Sequence, residues 1–407
     1  MADPKLIPTL DTTFNLLDRF VSSLNSLPPD GTTPPPDSPS PLPLVSTCAA
    51  TLRAQTTKLS LLIITPPFTP TAISGILSSL NDAVLPSLLT AALLLTPSTV
   101  TKAYSLETVS LTKATLRDLR DLARLVEARS KDGKPKAEPT SQLKNDVTAA
   151  TGKIWDDCDE LKKLADDGIA GFVVKKAEQY LDLIKDAVKE IEEWDPEEDE
   201  DEDEHGFFND EQDTPPSLPK DPQEMSPIST PSSQPTQDLH NLRSAVLKIL
   251  TRIPQSLHVV IAQRLKKGLP PSSSSSSSSS PHPINPNHLL TLDTLLSRIS
   301  QTSTCIDDVA ERLYTHDALG AMLTTEKARA YVVEMVESVR RGWDVKPTRA
   351  SVADADGARA EEGGGGGGGR EETKEDRYIE RALEWIKSVG TTLPQQNADL
   401  QSRGTVT

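Results

Sequence analysis

The chain has 407 residues, a formal net charge of −17 and a sequence pI near 4.9, with 36% hydrophobic but only 4% aromatic residues. An acidic excess of that size repels polyanions and argues against direct nucleic-acid binding, which needs a basic patch to neutralise phosphates. The 3 cysteines are distant and odd in number, so they exclude a disulfide framework and point to a reducing compartment.

Leu6, Leu10, Phe14, Leu17, Val21 and Leu24 recur every three or four residues and predict a first helix over 6–27. Residues 28–43, rich in Pro, Ser and Thr, read as a loop. A second helix is expected over 44–64 with Leu52, Leu59 and Leu62 buried, stopped by Pro66, Pro67 and Pro70. Thr69 or Thr71 is placed to cap a third, which runs through Ile73, Ile76, Leu80, Val84, Leu88 and Ala91 to Leu95. Its most apolar part, 83–95, is interrupted by Pro86 and falls short of the ~18 apolar residues of a spanning helix, so no membrane contact is expected.

Pro97-Ser98-Thr99 offers a break and an N-cap for a fourth helix carrying Tyr104, Val109, Leu116, Leu119, Leu122 and Val126. After a charged loop over 130–139, a fifth helix starts near Thr140 or Ser141 and includes Leu143, Val147, Ile154, Trp155, Cys158, Leu161 and Leu164. Trp155 lies on this apolar stripe and reads as core. Gly168 and Gly171 mark a kink or break before a sixth helix that carries Tyr180, Leu183, Ile184, Val188 and Ile191 to Trp194. The segment 196–237, first acidic and then rich in Pro, Ser and Gln, lacks periodicity and reads as a disordered linker. Helical spacing resumes at Leu239 and continues to Leu265, with Pro254 as a kink or division. A serine run at 272–280 interrupts it before helices over about 286–313 and 319–343. A glycine run at 363–369 precedes a short final helix with Tyr378, Ile379, Ala382, Leu383, Ile386 and Val389.

No β-alternation is present, so the expectation is an all-α chain: amphipathic helices in one or two helical bundles joined by a disordered acidic linker. The expected organisation is an N-terminal bundle at 1–195, the linker at 196–237 and a C-terminal helical region at 238–345. A Gly-rich spacer at 346–372, a final helix at 373–390 and a disordered tail at 391–407 complete it.

The residues offer little chemistry. The glycine run follows no strand and lacks the Lys-Ser/Thr of a phosphate loop. The 6 histidines are scattered, only His205 has a Glu three residues before it (Glu202, within the acidic run) so no second Glu-x-x-His exists to face it, and no cysteine stands near a histidine in a zinc-binding spacing. Cys158 reads as a small buried hydrophobe, and the serines form no nucleophile elbow. No cofactor, no metal and no catalysis are therefore expected. The strongest single feature is acidic: Glu197, Glu198, Asp199, Glu200, Asp201, Glu202, Asp203 and Glu204 form either a solvated linker or an interaction tract. The pairs Lys266-Lys267 and Arg340-Arg341 read as helix C-terminal charges that complement the macrodipole.

Two helices carry a family likeness. Trp155, Cys158, Asp159 and Leu161 lie in the stretch from Thr148 to Leu161, and Lys185, Asp186, Ala187 and Glu190 lie in the stretch from Leu183 to Glu193, just before the acidic run. This arrangement resembles the cyclin-D-interacting protein (GCIP) family, in a distant member of fungal style. The resemblance implies a helical bundle that binds regulatory proteins, cyclin-like or helix-loop-helix factors, in nucleus and cytoplasm, with a role in cell-cycle or transcriptional control. A rival expectation is a vinculin- or talin-like cytoskeletal scaffold, which long amphipathic helices suit equally well.

Overall fold

Apolar residues at a spacing of three and four, punctuated by Pro, Gly and hydroxyl side chains, fold the described parts of this chain into helices. The computed structural model describes residues 5–26, 40–131, 136–195, 234–267, 285–340, 343 and 373–389, and among these there is no strand. The elements are α1 (Leu6–Asn25), α2 (Pro41–Ile64), α3 (Pro70–Ser79), α4 (Leu85–Leu94), α5 (Lys102–Lys131) and α6 (Ser141–Glu193). They continue with α7 (Gln234–Leu250), α8 (Arg252–Val260), α9 (Pro286–Tyr314), α10 (Ala318–Ser338) and α11 (Lys374–Lys387). The all-α expectation is met.

The chain divides into two compact units. The first comprises residues 1–176 with 268–296, the second residues 177–267 with 297–407.

In the first unit α1 packs on α5 and α3, while α2 packs on α4, α3 and α5. Leu10, Leu17, Leu52, Leu59, Leu88 and Leu119 are all within 1% of complete burial, so aliphatic side chains do build the core. At ~25 cal/mol per Å² such side chains supply the main driving force. Leu62 is half-buried and Ile63 takes the inward position instead. Small polar residues lie between the leucines. Asn81 Nδ2 donates to Thr13 Oγ1 at 2.9 Å, and the Thr9 and Ser74 hydroxyls lie 3.1 Å apart. Along α5, Thr108 and Thr112 are buried and turn their hydroxyls back onto the carbonyls of Tyr104 and Thr108, at 3.0 and 2.7 Å. Bonding to the helix's own backbone hides the polar atom and leaves a methyl to face the neighbouring helix.

Three local expectations are corrected. The third helix runs past Pro86 as expected, but the apolar stretch is longer than 83–95, because α3 passes through a π-helical turn (Leu80–Val84) directly into α4. The wider turn precedes a proline that has no N–H to contribute, and the extra residue re-phases the helix so that both halves bury their leucines. The stretch Pro70–Leu94, like Asp238–Leu265, is thus long and apolar enough to cross a membrane by length and composition. In the fold Ile73, Leu77, Leu80, Leu85 and Leu88 of the first stretch are core residues. Second, Thr69 stands at the N-cap of α3 but bonds no helix N–H; its hydroxyl donates to the Pro67 carbonyl at 3.0 Å. Third, Ser98 and Thr99 do not cap α5. Thr101 does, its Oγ1 accepting the Tyr104 N–H at 3.3 Å, while Thr99 closes the preceding turn onto the Leu94 and Thr96 carbonyls.

Gly168 breaks α6 as expected. It has φ 64° and ψ −171°, a conformation that costs any residue with a Cβ, whereas Gly171 remains helical. Four residues before the break the Tyr104 hydroxyl donates to the Leu164 carbonyl at 2.8 Å, and the Tyr104 ring meets Phe172 edge-on at 5.2 Å. A fully buried tyrosine thereby finds a partner for its hydroxyl, which burial would otherwise make costly.

In the second unit α11 packs on α8 and α10, and α10 packs on α7 and α8. The chain divides at Thr251, so Pro254 falls in the first turn of α8, where no helical N–H is needed. A π-helical turn (Ile261–Leu265) again follows. α11 begins with a capping box: Thr373 Oγ1 accepts the Asp376 N–H and Asp376 Oδ2 accepts the Thr373 N–H. Arg264 is 5% exposed and forks across three acceptors: the Val339 carbonyl at 2.8 Å, the Arg340 carbonyl at 3.0 Å and Asp376 Oδ1 at 2.5 Å. One guanidinium thus joins the end of α10 to the start of α11. Two residues on predicted stripes face outward instead: Leu183 is 56% and Tyr378 50% exposed.

Candidate interaction surface

Among the described residues no group of three or more His, Cys, Asp or Glu side chains could hold a metal ion. Cys48, Cys158 and Cys305 are all buried and unpaired. Burial pushes the Cys158 thiol up to about 12, with Asp157 and Asp159 adding to the effect and Arg53 opposing it. Burial also raises Cys48 and Cys305. In all three, burial favours the thiol over the thiolate. His205 and His282 lie outside the described residues.

The first signature helix forms a seam with α2. Ser60 and Thr151 hydroxyls stand 2.5 Å apart, and the Trp155 indole N–H donates to Thr57 Oγ1 at 3.1 Å. Arg53 Nε reaches Asp159 Oδ1 at 3.1 Å, and Ser46 donates to Asp166 at 3.0 Å. As one number falls along α2 the other rises along α6, so these rungs fix two antiparallel helices in one register. Ile154, Cys158 and Leu161 turn inward beneath the rungs and are at most 1% exposed. Trp155 is half-buried, not fully enclosed as the stripe predicts, because its stripe position meets the edge of α2. The Arg53 guanidinium covers the outer ring face at 5.0 Å from its centroid. Arg53, Trp155 and Asp159 therefore form a polar-aromatic strip on the surface of the first unit.

Beside that seam, Asp157 of α6 lies close to Asp118 of α5. Its Oδ2 is buried without a hydrogen-bond partner, and burial, with the Asp118 charge second, pushes its carboxyl up to about 6. A neighbouring carboxylate makes the charged form of Asp157 costlier still.

The second signature lies on the end of α6, in the second unit. Ile184, Val188 and Ile191 are buried, whereas Lys185, Asp186 and Glu190 are exposed and Ala187 is half-buried. Lys185 pairs with Asp182 at 3.0 Å, and Glu190 accepts the Tyr314 hydroxyl at 3.0 Å. The Tyr314 ring in turn meets Trp194 edge-on at 5.1 Å. Arg243 of α7 donates to the Ile191 and Glu192 carbonyls and so satisfies the last turn of α6. A shallow groove lies along α7, lined by His240, Arg243, Ser244, Leu247, Lys248 and Thr251.

The acidic residues Glu197, Glu198, Asp199, Glu200, Asp201, Glu202, Asp203 and Glu204 lie outside the described residues, so the interaction tract has no described geometry. Three members of the basic pairs reach across to other helices, Lys266 to Glu178 at 2.7 Å, Lys267 to Glu375 and Arg340 to Glu380, while Arg341 lies outside the described residues. Sequence reasoning misses these partners because they are far away along the chain.

Residues 44–197 match the family model described as Grap2 and cyclin-D-interacting, N-terminal. Both signature helices fall inside the match, and the resemblance read from them is borne out. No curated protein matches the chain.

Proposed function

From a domain of the Grap2 and cyclin-D-interacting type over residues 44–197, we propose that this chain is a non-catalytic regulator that works by binding other proteins. The match carries the reading, since the name of the family is that of proteins defined by an interaction. Two further features support it. The cysteines are buried with raised pKa values, and the Arg53–Trp155–Asp159 strip offers aromatic and charged groups of the kind that anchor protein interfaces. The partner is a cyclin-like or helix-loop-helix regulatory protein, engaged through a helix face, and the setting is cell-cycle or transcriptional control in nucleus and cytoplasm.

Affinity capture from native extract with the full chain as bait, read by mass spectrometry, tests this proposal. Enrichment of a cyclin or a helix-loop-helix factor supports it. Recovery of the chain alone, or co-sedimentation with actin filaments, overturns it, the latter in favour of a cytoskeletal scaffold. A fluorescent fusion that excludes the nucleus would refute the location.

A further inference from the structure

Three of the four acids of helix α11 pair with neighbouring segments of its own unit: Glu375 with Lys267, Asp376 with Arg264, and Glu380 with Arg340. One cation, Lys387, does the same with Glu337. The apolar face of α11, Ile379, Ala382, Leu383 and Ile386, is buried against α8 and α10. An exposed face carries Lys374, Tyr378, Arg381 and Trp385, spaced i, i+4, i+7 and i+11, so they form a straight stripe along the helix. Tyr378 is 50% and Trp385 36% exposed. Arg252 of α8 stacks on the Trp385 ring at 5.0 Å and donates to its carbonyl at 2.8 Å, so the indole is held in place. Arg377 flanks the stripe. Lys374, Arg377 and Arg381 make no ion pair among the described residues, and Glu384 is the one acid at the stripe's edge.

We propose that this stripe is a docking face for an acidic amphipathic helix of a separate protein. This deepens the protein-binding reading above and rests on it, but places a contact outside the matched residues 44–197. Charge complementarity carries the argument. In a chain of net charge −17, a face whose three cations make no ion pair among the described residues, beside two presented aromatics, favours carboxylates. Tyr, Trp and Arg are the residues enriched where interface energy concentrates. An acidic helix would set its apolar residues on Tyr378 and Trp385 and its carboxylates on Arg377 and Arg381, with bidentate geometry open to both guanidinium groups. A nucleic acid fits less well: the chain's overall charge repels it, and three cations neutralise few phosphates.

The test is fluorescence anisotropy with the full chain. The probe is a fluorescein-labelled helical peptide of about 20 residues, with Leu at i, i+4, i+7 and i+11 flanked by Glu, and a twin with Gln for Glu serves as comparison. The proposal expects the Glu peptide to bind at least about tenfold tighter than the Gln twin, and R381E and W385A each to weaken it at least about tenfold. Both sites are on the surface, and unchanged circular dichroism confirms folding. A Lys-for-Glu peptide should regain affinity for R381E. Equal binding of the twins, or unchanged binding by R381E and W385A, overturns the assignment. So does a single-stranded oligonucleotide that binds tighter than the Glu peptide, or a dimer in sedimentation that R381E dissolves. A chain with Gln at positions 197–204 that binds the peptide about tenfold tighter would make its own acidic run the occupant. Captured partners that persist with W385A and R381E would uphold the proposed function while refuting this face.

Discussion

Replacing Arg264 by Met removes a charge that the second unit is built around while keeping most of the side-chain volume. The substitution deletes donors to the Val339 carbonyl, the Arg340 carbonyl and Asp376 Oδ1 at once. Removing one partner of a buried ion pair costs about 3–5 kcal/mol, most of it from the charge left behind. Here Asp376 is 18% exposed and keeps the Thr373 N–H, so water and the capping box recover part of that. The Val339 carbonyl, on a residue only 2% exposed, recovers little. We expect about 3 kcal/mol, which should appear as amide exchange on the order of a hundredfold faster in α11. Hydrogen exchange read residue by residue at pH 7 is the assay, since a global melt would merge the two units. R264M with D376N should recover part of the loss by removing the stranded carboxylate. Protection in α11 that changes less than about threefold, or full recovery by R264K, would refute the reasoning, because lysine cannot fork to three acceptors.

Gly168→Ala meets open space around the new Cβ, so its cost is purely backbone: about 1–3 kcal/mol from the φ of 64°, read as a lower melting temperature. Tyr104→Phe strands the Leu164 carbonyl and should cost about 1–2 kcal/mol in urea unfolding; no change would mean that the carbonyl has another donor. Asp157 holds its proton up to about pH 6 in the folded chain, against an ordinary value of 3.8, so the folded state binds the proton more tightly than the unfolded state does. Stability should therefore fall as pH rises from about 4 to about 6 and then level off. Asp157→Asn should flatten that slope and gain about 1 kcal/mol at pH 7, after discounting for solvent screening. Cys48, Cys158 and Cys305 should react with a thiol reagent only as fast as the chain opens, and rapid labelling of the native chain would contradict their burial.

The helices were legible from the sequence because leucine spacing and breakers act locally. The kink at Gly168 follows from a residue with no Cβ, and the start of α6 from Thr140, whose Oγ1 accepts the Leu143 N–H at 3.2 Å. The π turn before Pro86 was not legible, since it answers a packing demand from both halves of one long helix. Periodicity alone places Trp155 inward, because it fixes an angle on its own helix but not where the neighbouring helix ends. The partners of Arg264 and Lys267 lie roughly a hundred positions away, and no local pattern announces them.

The rungs between α2 and α6 imply a particular pattern of tolerance. A hydroxyl pair, an indole bond, an ion pair and a Ser–Asp bond each hold one level, so replacing any one side chain leaves the others aligned. Inserting or deleting a single residue between levels is different, because it rotates everything beyond it by about 100° and turns the next residue away from its mate. Within 46–60 and 151–166 evolution should therefore be free with letters and strict with length.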